Sequence, residues 1–397
     1  MIFQNLDDKG ECVGIYRDGK LSFEPEFNKL TKTWGYASFL KDYPIEYASI
    51  YCNGQNIDQV CPEELKQEWA RVSDKLRSFL ISFQEAKLDL NDNCLFDLVP
   101  RKFLLELCEI KNKITKHVFE NFSRPKNYEF FHDLAQLIGE MSQSNLNVDT
   151  AVLKDRMAEL RVRQFVKKVN NSQPRIKYNI FGTKTGRLTT KRNSFPILTL
   201  DKSYRGILKP NNDWFVELDY NAAELRVLLG LLGKKQPKGD LHEWNVKNVY
   251  NDTVTRDEAK KRIFAWLYNP NSKDHMSSGV YDREEVVKKY FNGKQVKTFF
   301  DREISADDYH ALNYIIQSTT SDLILRQAIK VDKLLKDKKT NIAFMVHDSI
   351  VLDMPKEEEE LIDSIFKTFA NTELGVFGTS ARAGKDFGDL SKLWIHL

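Results

Sequence analysis

The stretch Asp219-Tyr220-Asn221-Ala222-Ala223-Glu224-Leu225-Arg226, read with Val346-His347-Asp348-Ser349 far downstream, constrains this chain more than any other feature. Asp219 closes an apolar run from Trp214 to Leu218 that reads as a strand. Asp348 sits between two apolar runs, Ile342 to Val346 and Ile350 to Leu352, that read as the arms of a hairpin. Period-two alternation puts Phe215, Glu217 and Asp219 on one face of the first strand and Val216 and Leu218 on the other. An apolar hairpin that presents a carboxylate needs a counter-charge, because burying an uncompensated ion is costly. Two carboxylates on neighbouring strands can hold a pair of divalent ions. Such ions, about 3.5–4 Å apart, clamp the attacking and leaving oxygens of an in-line phosphoryl displacement. Taken singly, each acid has a plainer reading: Asp219 as N-cap of the helix that follows, Asp348 as a turn residue.

A third constellation lies between them. Thr255 and Glu258 have the spacing of a capping box, so a helix starts there. Arg256, Lys260, Phe264 and Tyr268 then recur every four residues and form one slowly drifting stripe. Two cations followed by two rings suit a nucleoside triphosphate, the cations meeting phosphate and the rings meeting sugar and base. The plainer alternative is a surface helix with snorkelling cations. Upstream, ten Lys or Arg occur from Arg161 to Arg192, with no acid before Asp201. A run of this kind neutralises backbone phosphates, or is simply a solvated basic face. Inside it lies Phe181-Gly182-Thr183-Lys184-Thr185-Gly186-Arg187-Leu188-Thr189-Thr190, where glycines let a backbone approach a ligand closely.

At 397 residues the chain exceeds one ordinary core and should hold two or more domains. The first 60 or so residues mix short β-like runs (Cys12 to Tyr16, Tyr47 to Tyr51) with turn signals such as Asp18-Gly19, suggesting a small α+β module. From Pro62 to about Ser142 the pattern becomes helical, and a further amphipathic run spans Val152 to Val169. The five cysteines, Cys12, Cys52, Cys61, Cys94 and Cys108, form no C-x-x-C pair and read as reduced core thiols. No apolar run approaches the roughly 20 residues that span a bilayer. The expectation is a soluble, cytoplasmic protein (host cytoplasm if phage-encoded) with no membrane partner.

In this order, the four segments resemble the motifs of the family A DNA polymerases, the bacterial polymerase I and phage replicative group. Thr185-Gly186-Arg187-Leu188 is similar to that family's T-G-R-L-S-S block, and Asp219 to Arg226 to D-Y-S-x-x-E-L-R. Arg256, Lys260, Phe264 and Tyr268 are similar to R-x3-K-x3-F-x3-Y, and Val346-His347-Asp348 to V-H-D-E. The resemblance covers about residues 100–397. It implies a template-directed, primer-dependent DNA polymerase that adds dNTPs to a primer 3′-hydroxyl. Asp219 and Asp348, with the Tyr220 carbonyl, would hold two Mg2+ ions. Glu224 would exclude the ribose 2′-hydroxyl. Arg256 and Lys260 would bind the triphosphate, with Lys260 assisting the leaving pyrophosphate. Phe264 would lie by the incoming sugar, a choice implying poor use of dideoxynucleotides, and Tyr268 would guard the template-base slot. Arg187, Asn313, Gln317 and His347 would contact primer–template DNA.

The implied fold is α+β, a right hand with an antiparallel palm sheet. Its parts would be an N-terminal α+β module at 1–90 (an exonuclease remnant or a docking surface), a helical thumb at 91–172, palm at 173–232 and 318–397, and fingers at 233–317. Three departures stand out: Ser349 replaces the Glu after the second Asp, Thr189-Thr190 replace two serines, and Asn269 replaces a Gly, which left-handed tolerance of Asn would accommodate. No D-x-E strand is found before the thumb, so proofreading is not expected on this chain, and a separate exonuclease or processivity subunit is a candidate partner. Two rival readings remain: a single-subunit RNA polymerase-like enzyme, which often has His-Asp-Ser but lacks the gate that Glu224 would supply, and an inactive primer–template scaffold.

Overall fold

The computed structural model describes residues 1–9, 12–23, 26–90, 92–170, 174–269 and 271–393. The chain divides into two units, Met1–Glu140 and Met141–Leu397.

In the first unit, strands β1 (Phe3–Lys9), β2 (Cys12–Arg17) and β3 (Lys20–Ser22) form an antiparallel sheet. The β2–β3 turn is Asp18-Gly19, both with positive φ, as a two-residue hairpin requires. Helices α1 (Lys66–Glu85), α2 (Arg101–Asn121) and α3 (Tyr128–Gln143) follow. The apolar stripe Phe103, Leu107, Ile110, Ile114 and Val118 of α2 is buried, together with Val72 and Phe83 of α1. Gln4 on β1 donates to Asn112 and Thr115 on α2. The division expected at residue 90 is therefore not where the chain divides: α2 completes the core of the N-terminal module, because its buried stripe is the surface that the sheet needs. Two further expectations change. Tyr47 to Tyr51 is strand only at its start, and Ala48–Tyr51 is a helical turn. Cys12 and Cys94 form a disulfide with Cα atoms 5.9 Å apart. Asp7 brings their two segments together by accepting from Leu95 N–H. Cys52, Cys61 and Cys108 are free and buried, as expected for core thiols.

The second unit opens with a 3-10 segment, Thr150–Arg156, and α4 (Leu160–Asn170), which together replace the single amphipathic run. Strand β4 (Trp214–Tyr220) leads into α5 (Ala223–Leu231). Next come α6 (Leu241–Asn248), α7 (Arg256–Tyr268), α8 (Arg283–Tyr290), the β5–β6 hairpin (Gln295–Lys297, Glu303–Ser305) and the long α9 (Asp308–Leu334). Strands β7 (Asn341–Val346) and β8 (Ser349–Met354), α10 (Leu361–Ala370), β9 (Thr379–Gly384) and β10 (Ser391–Leu393) complete it. The capping box at Thr255 and Glu258 forms as its spacing predicts. Asn269 ends α7 in an extended conformation (φ −106°), so left-handed tolerance is not what lets it replace glycine.

One five-stranded antiparallel sheet, in the order β7-β8-β4-β9-β10, organises this unit. The β4 face bearing Val216, Leu218 and Tyr220 is buried. The Tyr220 ring stacks on Phe369 of α10 at 4.4 Å, and its hydroxyl donates to the Phe369 carbonyl. Each such aliphatic or aromatic side chain contributes about 1.5–3 kcal/mol on burial. The opposite face carries Phe215, Glu217 and Asp219. Strand β7 is the sheet edge, clamped from outside by Tyr178. The Tyr178 hydroxyl donates to Met345 O at 2.6 Å and accepts from Met345 N at 2.9 Å. Among the described residues, no helix is long and apolar enough to cross a membrane.

Tyr178→Phe leaves a buried edge-strand N–H and carbonyl unpaired. The expected cost is about 1–3 kcal/mol in urea unfolding; an unchanged midpoint would show that the clamp contributes nothing.

Candidate active site

The register of the central sheet sets the first distance. Asp219 on β4 pairs directly with Ser349 on β8. Directly opposed residues have Cα atoms about 4.5–5.5 Å apart, and Asp348 is one Cα step of about 3.8 Å further on. Its Cα therefore lies within about 9 Å of that of Asp219, and the two acids share one end of the sheet. Burial first, then the charges of Glu217 and Asp348, push the Asp219 carboxyl up to about 7, against the pull of Arg382. Burial also raises Asp348, opposed by Arg187 and His347. Asp219 is not the N-cap of α5; Ala222 occupies that position without a side-chain cap.

Both turns that present the acids hold a non-glycine residue in the left-handed region. His347 has φ 52° and Ala222 φ 54°. Such residues cost on the order of 1–3 kcal/mol and persist only where the surroundings enforce them. Ser349 stands where the resembled motif has Glu. It is buried, and its hydroxyl donates to Val346 O at 3.0 Å, closing the hairpin.

Glu224, in the first turn of α5, ties three elements together. It accepts from Arg187 Nη2 at 2.8 Å and from the Tyr268 hydroxyl. Burial raises the Glu224 carboxyl against the pull of both donors. Burial followed by the Glu224 charge raises Tyr268, which keeps its proton to donate. The loop that carries Arg187 is fixed at Gly186. Its φ is +76°, and the Arg302 guanidinium lies so close that a Cβ would meet it at 2.5 Å. Arg302 is itself ion-paired to buried Asp322 on α9, Nη2 to Oδ1 2.6 Å.

The α7 stripe forms as expected. Phe264 and Tyr268 lie with rings nearly parallel, 9° between planes, and Lys260 is exposed. Arg256 is held by Asp240, Nη2 to Oδ2 2.7 Å. Burial alone would raise Asp240, but hydrogen bonds from Arg256 and from the backbone of α6 outweigh it and hold the carboxyl at about 2. His242 sits beside them with its ring 5.8 Å from that of Phe264. Its Nδ1 is buried without a partner, and desolvation pushes it down to about 4. Asp240 and His242 escape sequence reasoning. The available signal was Gly239-Asp240-Leu241-His242, a glycine and an N-cap acid just before a helix with a histidine in its first turn.

The α9 residues fall in one line. Asn313 borders a cavity of about 460 Å³ with Tyr268. Ser321, two helical turns on, borders a cavity of about 630 Å³ with Arg187, His347 and Asp348. Gln317, midway at the same spacing, lies between them. All the expected site residues thus belong to the second unit; Asp219, Asp348, His347 and Arg187 meet at one end of its sheet, with Glu224 and Tyr268 linked to Arg187. Among the described residues the only trio of acid and sulfur ligands close enough to share an ion is Asp7, Cys12 and Cys94, in the first unit. There the sulfurs are bonded to each other, and Asp7 accepts from Asp8, Leu95 and Lys9.

An antiparallel sheet that sets two acids together at a hairpin, with a cation-and-ring helix beside them, defines a right-hand polymerase fold. The Pol domain of Pol1 from M. smegmatis, solved in complex with DNA primer-template and dNTP, matches over 72% of this chain and 75% of its own, with TM-score 0.57 and 13% identity. Residues 288–377 match the model of DNA polymerase family A. A DNA polymerase of Bacillus phage SP01 is 26% identical over 247 residues, covering 46% of this chain and 27% of that protein. The thermostable DNA polymerase I of Thermus aquaticus is 24% identical over 242 residues, 48% of this chain and 29% of that protein. The chain thus spans less than a third of the length of these two relatives.

Asp219 carries a folded-state value above its ordinary 3.8, so ionising it opposes folding. That penalty is absent below about pH 4, grows as pH rises toward about 7 and is constant above. In metal-free buffer, Asp219→Asn is therefore expected to be more stable than the parent at pH 8, by about 1–3 kcal/mol after allowance for partial solvent screening, and equal to it near pH 4. Denaturation across a pH series measures this; a difference that does not vary with pH would exclude Asp219 as the strained group.

Proposed function

We propose that this chain is a template-directed, primer-dependent DNA polymerase. The observation that supports the reading best is the joining of Asp219 and Asp348 at one sheet end, with Glu224 tied to both Arg187 and Tyr268 alongside. Asp219, Asp348 and the Tyr220 carbonyl fit Mg2+, since all are hard oxygen donors and the Asp219 carboxyl is short of positive charge. When bound, two such ions supply charge neutralisation and activation of oxygen at a transferring phosphoryl group.

The remaining roles belong to side chains. Arg256 and Lys260 bind the triphosphate, and Lys260, exposed and unencumbered by burial, is the group for the departing pyrophosphate. His242, close to both, adds a third contact on the same side. Phe264 and Tyr268 take sugar and template base. Glu224, held rigid by its two donors, stands where a ribose 2′-hydroxyl would intrude and selects dNTPs. Arg187, Asn313, Gln317 and His347 line the path of primer–template DNA. In the family's terms the sheet is the palm and α6 to α8 are the fingers. Positioning and charge carry most of the catalysis in this reaction class.

Among the described residues, the first unit gives no support to a proofreading role. The acids of its sheet are used structurally, Asp7 as described above and Asp8 by the N–H and hydroxyl of Ser38. We therefore read the chain as polymerase without an editing site. A separate exonuclease or processivity subunit remains a candidate partner.

On a primed template, Asp348→Ala is expected to bind DNA with unchanged affinity in a mobility-shift assay. Its extension rate should fall by at least about 10³-fold, in line with loss of transition-state charge stabilisation. Extension that survives the substitution would remove Asp348 from the chemistry, and preference of the parent for rNTPs would move the reading to the RNA polymerase-like alternative. A mismatched primer incubated without nucleotides should keep its length over hours; shortening by the pure chain would refute the absence of editing.

A further inference from the structure

We infer that Asp240 is a positioning residue for the nucleotide triphosphate: it grips one edge of the Arg256 guanidinium and leaves the other turned toward the phosphates. This rests on the polymerase reading above. Arg256 donates from Nε to Asp240 Oδ1 at 3.3 Å and from Nη2 to Oδ2 at 2.7 Å. That two-point grip fixes the plane of the guanidinium as well as its place. It also removes much of the rotamer freedom that a long Arg side chain would otherwise lose on meeting a ligand.

Asp240 can act as an anchor because it is itself immobilised. Its Oδ1 accepts from the N–H groups of His242 and Glu243 at 2.8 and 3.0 Å, as N-cap of α6. Its Oδ2 accepts from Asn221 Nδ2 at 2.9 Å. Asn221 follows directly on β4, and its Oδ1 accepts from Leu241 N at 2.7 Å. The loop between is pinned by Arg226, which is wholly buried and donates to the carbonyls of Asn221, Pro237 and Gly239. Gly378 packs against that guanidinium, leaving no room for a Cβ. A continuous relay thus runs from the strand bearing Asp219, through Asn221 and Asp240, to the phosphate-facing side of α7. It ties the position of Arg256 to the position of the catalytic strand.

A competing role for Asp240 is conceivable on the same contacts: a carboxylate that occupies Arg256 and must be displaced by phosphate. The grip argues for positioning. Asp240 has no freedom to swing away, since three other donors hold it, and the Nη1 side of Arg256, 3.7 Å from exposed Asp257 Oδ1, lies outside the grip.

The test is Asp240→Asn, which keeps a competent N-cap through its amide oxygen but removes the charge that orients Arg256 and the second acceptor oxygen that Arg256 and Asn221 share. On a primed template its KM for dNTP should rise roughly tenfold, with a smaller effect on kcat, as expected for a lost charge-assisted contact. The rise should vanish when Arg256→Ala is already present. Equilibrium binding of dNTP to the Asp348→Ala protein on primer–template should weaken by the same factor, a readout independent of turnover. An unchanged or lower KM, or an equal rise in the absence of Arg256, overturns the inference. Should Asp240→Asn fail to fold by circular dichroism, Asn221→Ala cuts the same relay from the other side, and an unchanged KM there overturns it equally. A parent protein that extends no primer would instead overturn the polymerase reading.

Discussion

Everything at the site depends on the antiparallel pairing of β4 with β8. Because side chains alternate with period two, a slip of one residue would turn Asp219 into the apolar layer against α10 and bring Leu218 or Tyr220 to the cleft. The register is held by both faces at once. Val216, Leu218 and Tyr220 on one side are buried, Tyr220 stacking on Phe369. Phe215 on the other packs edge-on to Phe344 of β7 at 5.5 Å. Hydrophobic matching therefore does electrostatic work: it forces two carboxylates together that would otherwise repel.

That forced proximity is visible in the charge balance. Asp219 is driven upward by desolvation and by its neighbours, while Asp240, 21 residues on from Asp219 beyond α5, is driven the other way by Arg256 and backbone N–H groups. Arg382 offsets little of the charge crowding at Asp219, whereas Arg256 and backbone N–H groups outweigh burial at Asp240. The contrast separates a carboxylate left short of donors from one that holds a neighbouring side chain. The left-handed backbones at Ala222 and His347 fall at the two turns that carry these acids, where the surrounding pairing enforces them.

Much of this was legible in the order of residues, for identifiable reasons. The hairpin around Asp348 announces itself because the apolar runs on both arms leave only three residues between them. The helix at Arg256 announces itself through its capping box. What stayed hidden depended on long-range pairing. The N-terminal module cannot be bounded from sequence, since the helix Arg101–Asn121 looks like any amphipathic helix until its stripe meets the sheet. The Cys12–Cys94 bond joins residues 82 apart, with no spacing signature. The N-cap reading of Asp219 failed because Ala222 took a left-handed conformation and moved the helix start three residues on.

The sequence by itself determined the kinds of chemistry present and the local elements that bear them: a strand ending in an acid, a hairpin tipped by another, and a helix striped with cations and rings. These follow from periodicity and capping, which act within a few residues. Only the tertiary structure decided which groups meet: Asp219 with Asp348, Glu224 with Arg187 and Tyr268, Arg256 with Asp240, Ser349 with its own turn. The reason is physical. Ion pairs and sheet registers are set by packing that closes loops of tens to more than a hundred residues, and no local propensity carries that information.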